Sequence, residues 1–163
     1  MTGKKSYERN SRLILKQFDI AAQQKLSDAR VLVIGAGGLG CACLQFLAAA
    51  GTGHQGIVDD DTIMLHNLHR QVLYSTSDVG KQKATVAKEK LLALNPEINI
   101  TTYTERITNK NALDIIASYK IVIDGTDNFT CYTINDACVL LNKPLLYGGL
   151  SPQDVTPKPL HLY

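Results

Sequence analysis

Val31-Leu-Val-Ile-Gly-Ala-Gly-Gly-Leu-Gly40 decides the fold of this chain: an apolar strand runs into a glycine loop, and Cys41-Ala-Cys-Leu-Gln-Phe-Leu-Ala-Ala-Ala50 continues as a helix. Gly35, Gly37 and Gly40 keep the G-x-G-x-x-G spacing, with Gly38 as an extra. In that pattern the first glycine permits a tight turn, the second lets the backbone approach a phosphate, and the third lets the helix sit close against the strand. The amides and positive dipole end of the helix then face an anion. The stretch predicts a nucleotide site. The alternative, a glycine turn that merely packs strand on helix, has to be excluded by the other motifs.

Downstream, Gly51-Thr-Gly53 stops the helix, and Gly56-Ile-Val-Asp-Asp-Asp61 reads as a second parallel strand ending in acids. Asp59 lies 19 residues beyond Gly40 and directly follows Ile57-Val58. An acid at that tip accepts hydrogen bonds from both ribose hydroxyls of a nucleotide, with Asp61 as a neighbouring contact. Solvated turn chemistry is the competing reading of three consecutive acids.

Leu65-His-Asn-Leu-His-Arg-Gln-Val72 and Asp78-Val-Gly-Lys-Gln-Lys83 lead into a helix expected to bury Ala84, Ala87, Leu91 and Leu94. A lysine at a helix start opposes the macrodipole, and a bound polyanion would remove the conflict, so Lys83 is a candidate phosphate ligand. Arg70 offers a planar fork to phosphate oxygens.

Ile98 to Tyr103 alternates as a strand, and Thr108 to Tyr119 is expected to be a helix with Leu113 and Ile116 inward. Ile121-Val-Ile-Asp124 is a buried strand that runs into Gly125-Thr-Asp-Asn128. Strand carboxyl ends gather ligands in open α/β sheets, so Asp127 can hold a Mg2+ that bridges nucleotide phosphates, or serve only as a helix N-cap. Tyr132 to Leu141 reads as a helix and Pro144 to Gly148 as the next strand.

Upstream, Tyr7 to Phe18 looks helical, with Arg9 and Arg12 on one stripe that can reach an anion outside its own subunit or simply form a solvated face. Gln23 to Leu26 forms a short helical turn. The tail Ser151 to Tyr163 carries three prolines and no sustained periodicity, and is expected to be extended and irregular. The whole is an α/β, Rossmann-like, doubly wound and mostly parallel sheet with an N-terminal helical extension. It divides into an arm (1–28), a core (29–149) and an irregular, incomplete C-terminal region (150–163).

With 163 residues, 45% of them hydrophobic and 20% charged, the chain suits one globular domain. A formal charge of +2 and the lack of a Lys/Arg block give no support for nucleic-acid binding. The apolar runs fall short of a membrane span and Met1-Thr-Gly-Lys-Lys-Ser6 has no signal-peptide core, which points to the cytoplasm. Cysteines 41, 43, 131 and 138 include no C-x-x-C, so no zinc site is read from them. Cys41 and Cys43 are expected to pack as small apolar side chains, and His66 and His69 to be partly exposed imidazoles.

Gly35 to Gly40, Asp59 to Asp61, Asn67-Leu-His-Arg-Gln71, Gly80-Lys-Gln-Lys83 and Gly125-Thr-Asp-Asn128, taken in order, resemble the ThiF/MoeB/HesA family, the bacterial relatives of ubiquitin-activating enzymes. The resemblance runs from about Tyr7 to Gly149. It implies an enzyme, an adenylyltransferase that uses ATP and Mg2+ on the C-terminal glycine carboxylate of a small ubiquitin-like sulfur carrier for thiamine or molybdopterin synthesis. Carried over position by position, the glycine loop hugs the nucleotide and Asp59 holds the ribose. Asn67, Arg70, Gln71 and Lys83 orient and neutralise phosphates, Asp127 binds Mg2+, and Arg12 reaches across a homodimer interface to the partner's ATP.

The segment Asp127-Asn-Phe-Thr-Cys-Tyr132 departs from the family pattern, because it lacks an arginine a few residues after the Asp-Asn pair and is one residue short. The chain also ends near where members continue with more sheet and a crossover loop. An inactive or regulatory subunit of the same family would share these features. An NAD-dependent oxidoreductase would share the glycines and Asp59 but not the N-L-x-R-Q and G-x-x-K segments.

Overall fold

The computed structural model describes residues 20–127 and 129–148 and the backbone of His161 and Leu162. The elements are α1 (Ile20–Ser27), β1 (Arg30–Ile34), α2 (Gly38–Ala50), β2 (His54–Val58), α3 (Lys83–Leu94), β3 (Asn99–Tyr103), α4 (Ala112–Ala117), β4 (Ile121–Asp124), α5 (Thr130–Leu140), β5 (Leu145–Tyr147) and β6 (His161–Leu162). They form one sheet in the order β3-β2-β1-β4-β5-β6. Every pair is parallel except β5 with β6, where Leu146 faces Leu162 and Tyr147 faces His161. The chain order reverses beside β1, between β2 and β4. This is the doubly wound architecture expected, and the strand ends on either side of that switch form a crevice.

Both sheet faces are apolar because β1 carries an unbroken Val-Leu-Val-Ile run, in which alternate side chains leave on opposite sides. Val31 and Val33 join Leu44 and Ala48 of α2 and Ala84, Ala87 and Leu91 of α3 in one core. Leu32 and Ile34 join Ile115 and Ile116 of α4 and Ile134 and Ala137 of α5 in the other.

Four expectations are corrected. α1 is an eight-residue helix rather than a single turn at Gln23 to Leu26. Leu94 is exposed because it closes α3. The next residue, Asn95, turns the chain away with its side-chain amide bonded to the Ala48 carbonyl at 2.9 Å, while Val86 widens the buried face instead. α4 is shorter than expected, and its inward stripe is Ala112, Ile115 and Ile116, which leaves Leu113 facing out. A turn closed by the Thr108 amide on Asn111 Oδ1 at 2.7 Å takes up the start of that segment. Within the tail read as irregular, His161–Leu162 pairs as an edge strand.

Candidate functional site

The glycine loop is built by two close approaches. Gly35 has φ +89, a left-handed conformation, and a side chain there would meet the Gly125 carbonyl carbon at 3.1 Å. A Cβ on Gly40 would lie 1.8 Å from the Gly35 carbonyl oxygen, so α2 can start where it does only because position 40 has none. The first intrahelical bond runs from the Cys41 amide to the Gly37 carbonyl at 2.8 Å. The amides ahead of it, at Gly38, Leu39 and Gly40, have no partner within the helix. Tyr74 braces the loop from behind, its buried hydroxyl donating to the Ala36 carbonyl at 2.9 Å.

Asp59 leaves the tip of β2 beside this loop. Its Oδ2 accepts the Ala36 amide at 2.7 Å and its Oδ1 the Asp61 amide at 2.9 Å. Burial pushes its carboxyl above the usual carboxylate range, and these two amides oppose that. Each oxygen keeps a lone pair for a further donor.

The segment from Thr62 to Gln82 leaves and returns at one place, because Thr62 and Gln82 form an antiparallel bridge. The Lys83 amide donates to the Asp61 carbonyl at 3.0 Å and the Ile63 amide to the Lys81 carbonyl at 2.9 Å. This pinch carries Lys83 to the acidic strand tip, where its buried Nζ lies 2.8 Å from Asp61 Oδ2. Asp61, not only a bound anion, therefore meets the unfavourable charge of a lysine at a helix start. Asp61 enters the site as the partner of Lys83.

Within the pinched segment, the turn at Leu65–Asn67 is followed by bonds from the Arg70 and Gln71 amides to the Asn67 carbonyl, both at 3.1 Å. These lay both side chains over the glycine loop. The Arg70 stem lies 3.4 Å from where a Cβ on Gly38 would sit, and Gln71 Nε2 lies 3.7 Å from the equivalent point on Gly37. Gln71 is buried and its Oε1 has no hydrogen-bond partner among the described residues. Asn67 is buried, with Oδ1 within 3.4 Å of the Met64 amide.

Together these groups surround a cavity of about 660 Å³, within the range of small-molecule sites. Gly35, Gly37, Gly38, Asp59, Asp61, Asn67, Arg70, Gln71, Lys83 and Asp127 all line it, whereas Gly40 lies behind the loop and Arg12 lies outside the described residues. Asp127 is exposed; the residue that caps α5 is Phe129, with no side-chain cap bond.

Three contributors escaped sequence reasoning. Arg106 pairs with Asp60 at 3.3 Å on the rim, Tyr74 braces the loop, and Asp124 sits fully buried at the end of β4. Only Asp124 had a readable signal, an acid closing an apolar strand just as Asp59 does. His66 and His69 are exposed, as expected; Cys41 is buried and Cys43 half-buried.

Residues 7–154 match the model of the ThiF family. The chain belongs to the ThiF family. A sulfur carrier protein adenylyltransferase of Thermus thermophilus is 50% identical over 139 residues, covering 85% of this chain and 51% of that protein. A probable molybdopterin-synthase adenylyltransferase of Porphyra purpurea is 47% identical over 146 residues, covering 88% of this chain and 38% of the relative.

Among solved structures, the E. coli tRNA N6-threonylcarbamoyladenosine dehydratase TcdA in complex with ATP superposes with a TM-score of 0.80 at 29% identity, covering 85% of this chain and 58% of that one. E. coli MccB with AMPCPP and MccA gives 0.78 at 33%, covering 86% and 42%. The chain thus spans about half the length, or less, of the curated relatives it matches. The family read from the ordered motifs is the one found. No described helix is long and apolar enough to cross a membrane.

Proposed function

We propose that this chain binds ATP with Mg2+ and adenylates the C-terminal glycine carboxylate of a small ubiquitin-like sulfur-carrier protein, releasing pyrophosphate. The observation that carries this reading is that Arg70, Lys83 and Asp127, from separate stretches of sequence, converge on the cavity lined by the glycine loop and Asp59. The similarity to adenylyltransferases supports the reaction, and the likeness to the ATP-bound TcdA structure supports the nucleotide.

The residues fit a nucleoside triphosphate. The glycine loop leaves room where side chains would stand, and the helix start offers amides to phosphate oxygens. Asp127 as a lone carboxylate suits Mg2+, which takes one or two carboxylates and completes its shell with phosphate oxygens and water. When bound, that ion would neutralise phosphate charge.

The carrier's carboxylate oxygen attacks the α-phosphorus, and the bond to the bridging oxygen breaks with its electron pair leaving on pyrophosphate. The attacking group is already ionised near neutral pH, so no general base is needed. What must be overcome is the repulsion between two anions. Arg70 and Lys83 do this by neutralising phosphate charge, and the glycine loop and Asp59 by fixing the nucleotide in place.

The working unit in this reading is a cytoplasmic homodimer in which Arg12 of each protomer reaches the other's nucleotide, serving a carrier of thiamine or molybdopterin synthesis. Pyrophosphate exchange into ATP that depends on a sulfur-carrier protein ending in glycine tests it. ATP binding without exchange would favour an inactive subunit, a second reading supported by the segment Asp127-Asn-Phe-Thr-Cys-Tyr132, which lacks an arginine a few residues after the Asp-Asn pair. NAD binding without ATP binding would overturn both.

A further inference from the structure

Asp124 is completely buried at the carboxyl end of β4, yet it does not line the cavity. Its Oδ1 accepts two hydrogen bonds, from the Thr126 amide at 2.9 Å and from the Thr126 hydroxyl at 2.8 Å. Its Oδ2 has no hydrogen-bond partner among the described residues. A carboxyl group held this way bends Gly125 and Thr126 into a turn directly before Asp127. The turn is also held at its start, where the Gly125 amide donates to the Ile34 carbonyl at 2.9 Å. Opposite it stands the glycine loop: a Cβ on Gly35 would meet Gly125 at 3.1 Å and the Thr126 amide nitrogen at 3.3 Å. The Asp124 turn is thus the wall against which the Gly35 turn is pressed.

We propose that Asp124 is a positioning residue, whose buried carboxyl group shapes the Gly125–Thr126 turn so that Asp127 is aimed at the metal-bearing phosphates and the glycine loop is braced behind them. The inference rests on the ATP and Mg2+ reading above and adds to it the group that sets the geometry. Only Oδ1 does this work. An amide in place of the carboxylate keeps that acceptor, so Asp124→Asn preserves the turn while Asp124→Ala abolishes it.

The test uses the full chain and reads binding, not turnover. ATP affinity is measured by calorimetry at increasing MgCl2, and folding by circular dichroism. Loss of a group that orients a metal ligand costs roughly 10–100-fold in metal affinity. Asp124→Ala is expected to raise the half-saturating Mg2+ concentration about tenfold or more, with Asp124→Asn within about threefold of the parent.

If Asp124→Ala folds and its Mg2+ requirement is unchanged, or if Asp124→Asn is as impaired as Asp124→Ala, the proposal is overturned. Should Asp124→Ala fail to fold, Thr126→Val decides: it removes the hydroxyl donor alone, an intermediate rise supports the proposal, and an unchanged requirement overturns it. A parent chain that binds ATP identically with and without Mg2+ overturns the metal reading first and the proposal with it.

Discussion

Replacing Lys83 by methionine separates phosphate binding from folding more cleanly than any other change in the site. The ammonium is buried and 2.8 Å from Asp61 Oδ2, but the Asp61 side chain is 60% exposed. Removing the lysine therefore leaves no buried charge stranded, because Asp61 returns to water. A half-exposed pair of this kind is worth only about 0–1 kcal/mol, and methionine keeps the packing of the stem, so stability should change by less than about 1 kcal/mol. The phosphate side is different. A hydrogen bond to a charged partner contributes about 1.5–3 kcal/mol, which corresponds to roughly a 10–150-fold loss of ATP affinity.

The reciprocal variant, Asp61→Asn, removes the group that competes with phosphate for Lys83. ATP affinity should then hold or rise, while stability falls because the buried ammonium keeps only a neutral acceptor. Isothermal titration with ATP and urea unfolding of both variants and of the double variant complete the cycle. Unchanged ATP affinity in Lys83→Met would refute the assignment of Lys83 to phosphate. A drop in stability large enough to account for the lost binding would refute the separation of the two roles.

Gly40→Ala must move either α2 or the Gly35 carbonyl to relieve a 1.8 Å approach. Overpacking of this kind costs about 3 kcal/mol, or a fall of roughly 6–12 °C in Tm by calorimetry, and a parent-like Tm would show that the loop yields freely. Asp78, bonded by the Ser75 amide and hydroxyl and paired with Lys81 and Lys90 at 3.3 and 3.1 Å, has its carboxyl held well below the ordinary 3.8. A depressed carboxylate stabilises the fold above its unfolded value and loses that contribution as pH falls through the folded one. Asp78→Asn should therefore flatten the acid limb of urea stability below about pH 4; an unaltered limb would remove Asp78 as its source. Burial pushes the Cys41 and Cys138 thiols up to about 11, and Cys41 also donates to the Ala36 carbonyl at 3.2 Å. Native alkylation at pH 8, followed by mass spectrometry, should label both only after unfolding.

The sheet was legible because its evidence is local. The apolar run of β1, the glycines after it and the acids ending β2 each obey a rule that needs no distant partner. The errors fell where a distant partner decides the outcome. Leu94 has the right spacing for the buried stripe of α3, but Asn95 hooks onto Ala48 and leaves it outside. Leu113 is one residue out of phase because Thr108 to Asn111 is spent on a turn before α4 begins.

Within the site the same division holds. Lys83 could be suspected from its awkward place at a helix start, yet nothing local shows that the Thr62–Gln82 bridge delivers it to Asp61. Tyr74 had no signal at all, since a tyrosine that ends a polar loop differs from a surface one only in what it reaches, here a carbonyl 38 residues back. Residues that touch a nucleotide are legible because their chemistry restricts their type and spacing. Residues that hold those contacts in place are chosen by the space left over, and that space exists only once the chain has folded. Asp124 belongs to the second group yet left a trace in the sequence: its type and place at a strand end could be read, but its task is set by the Gly35 turn packed against it.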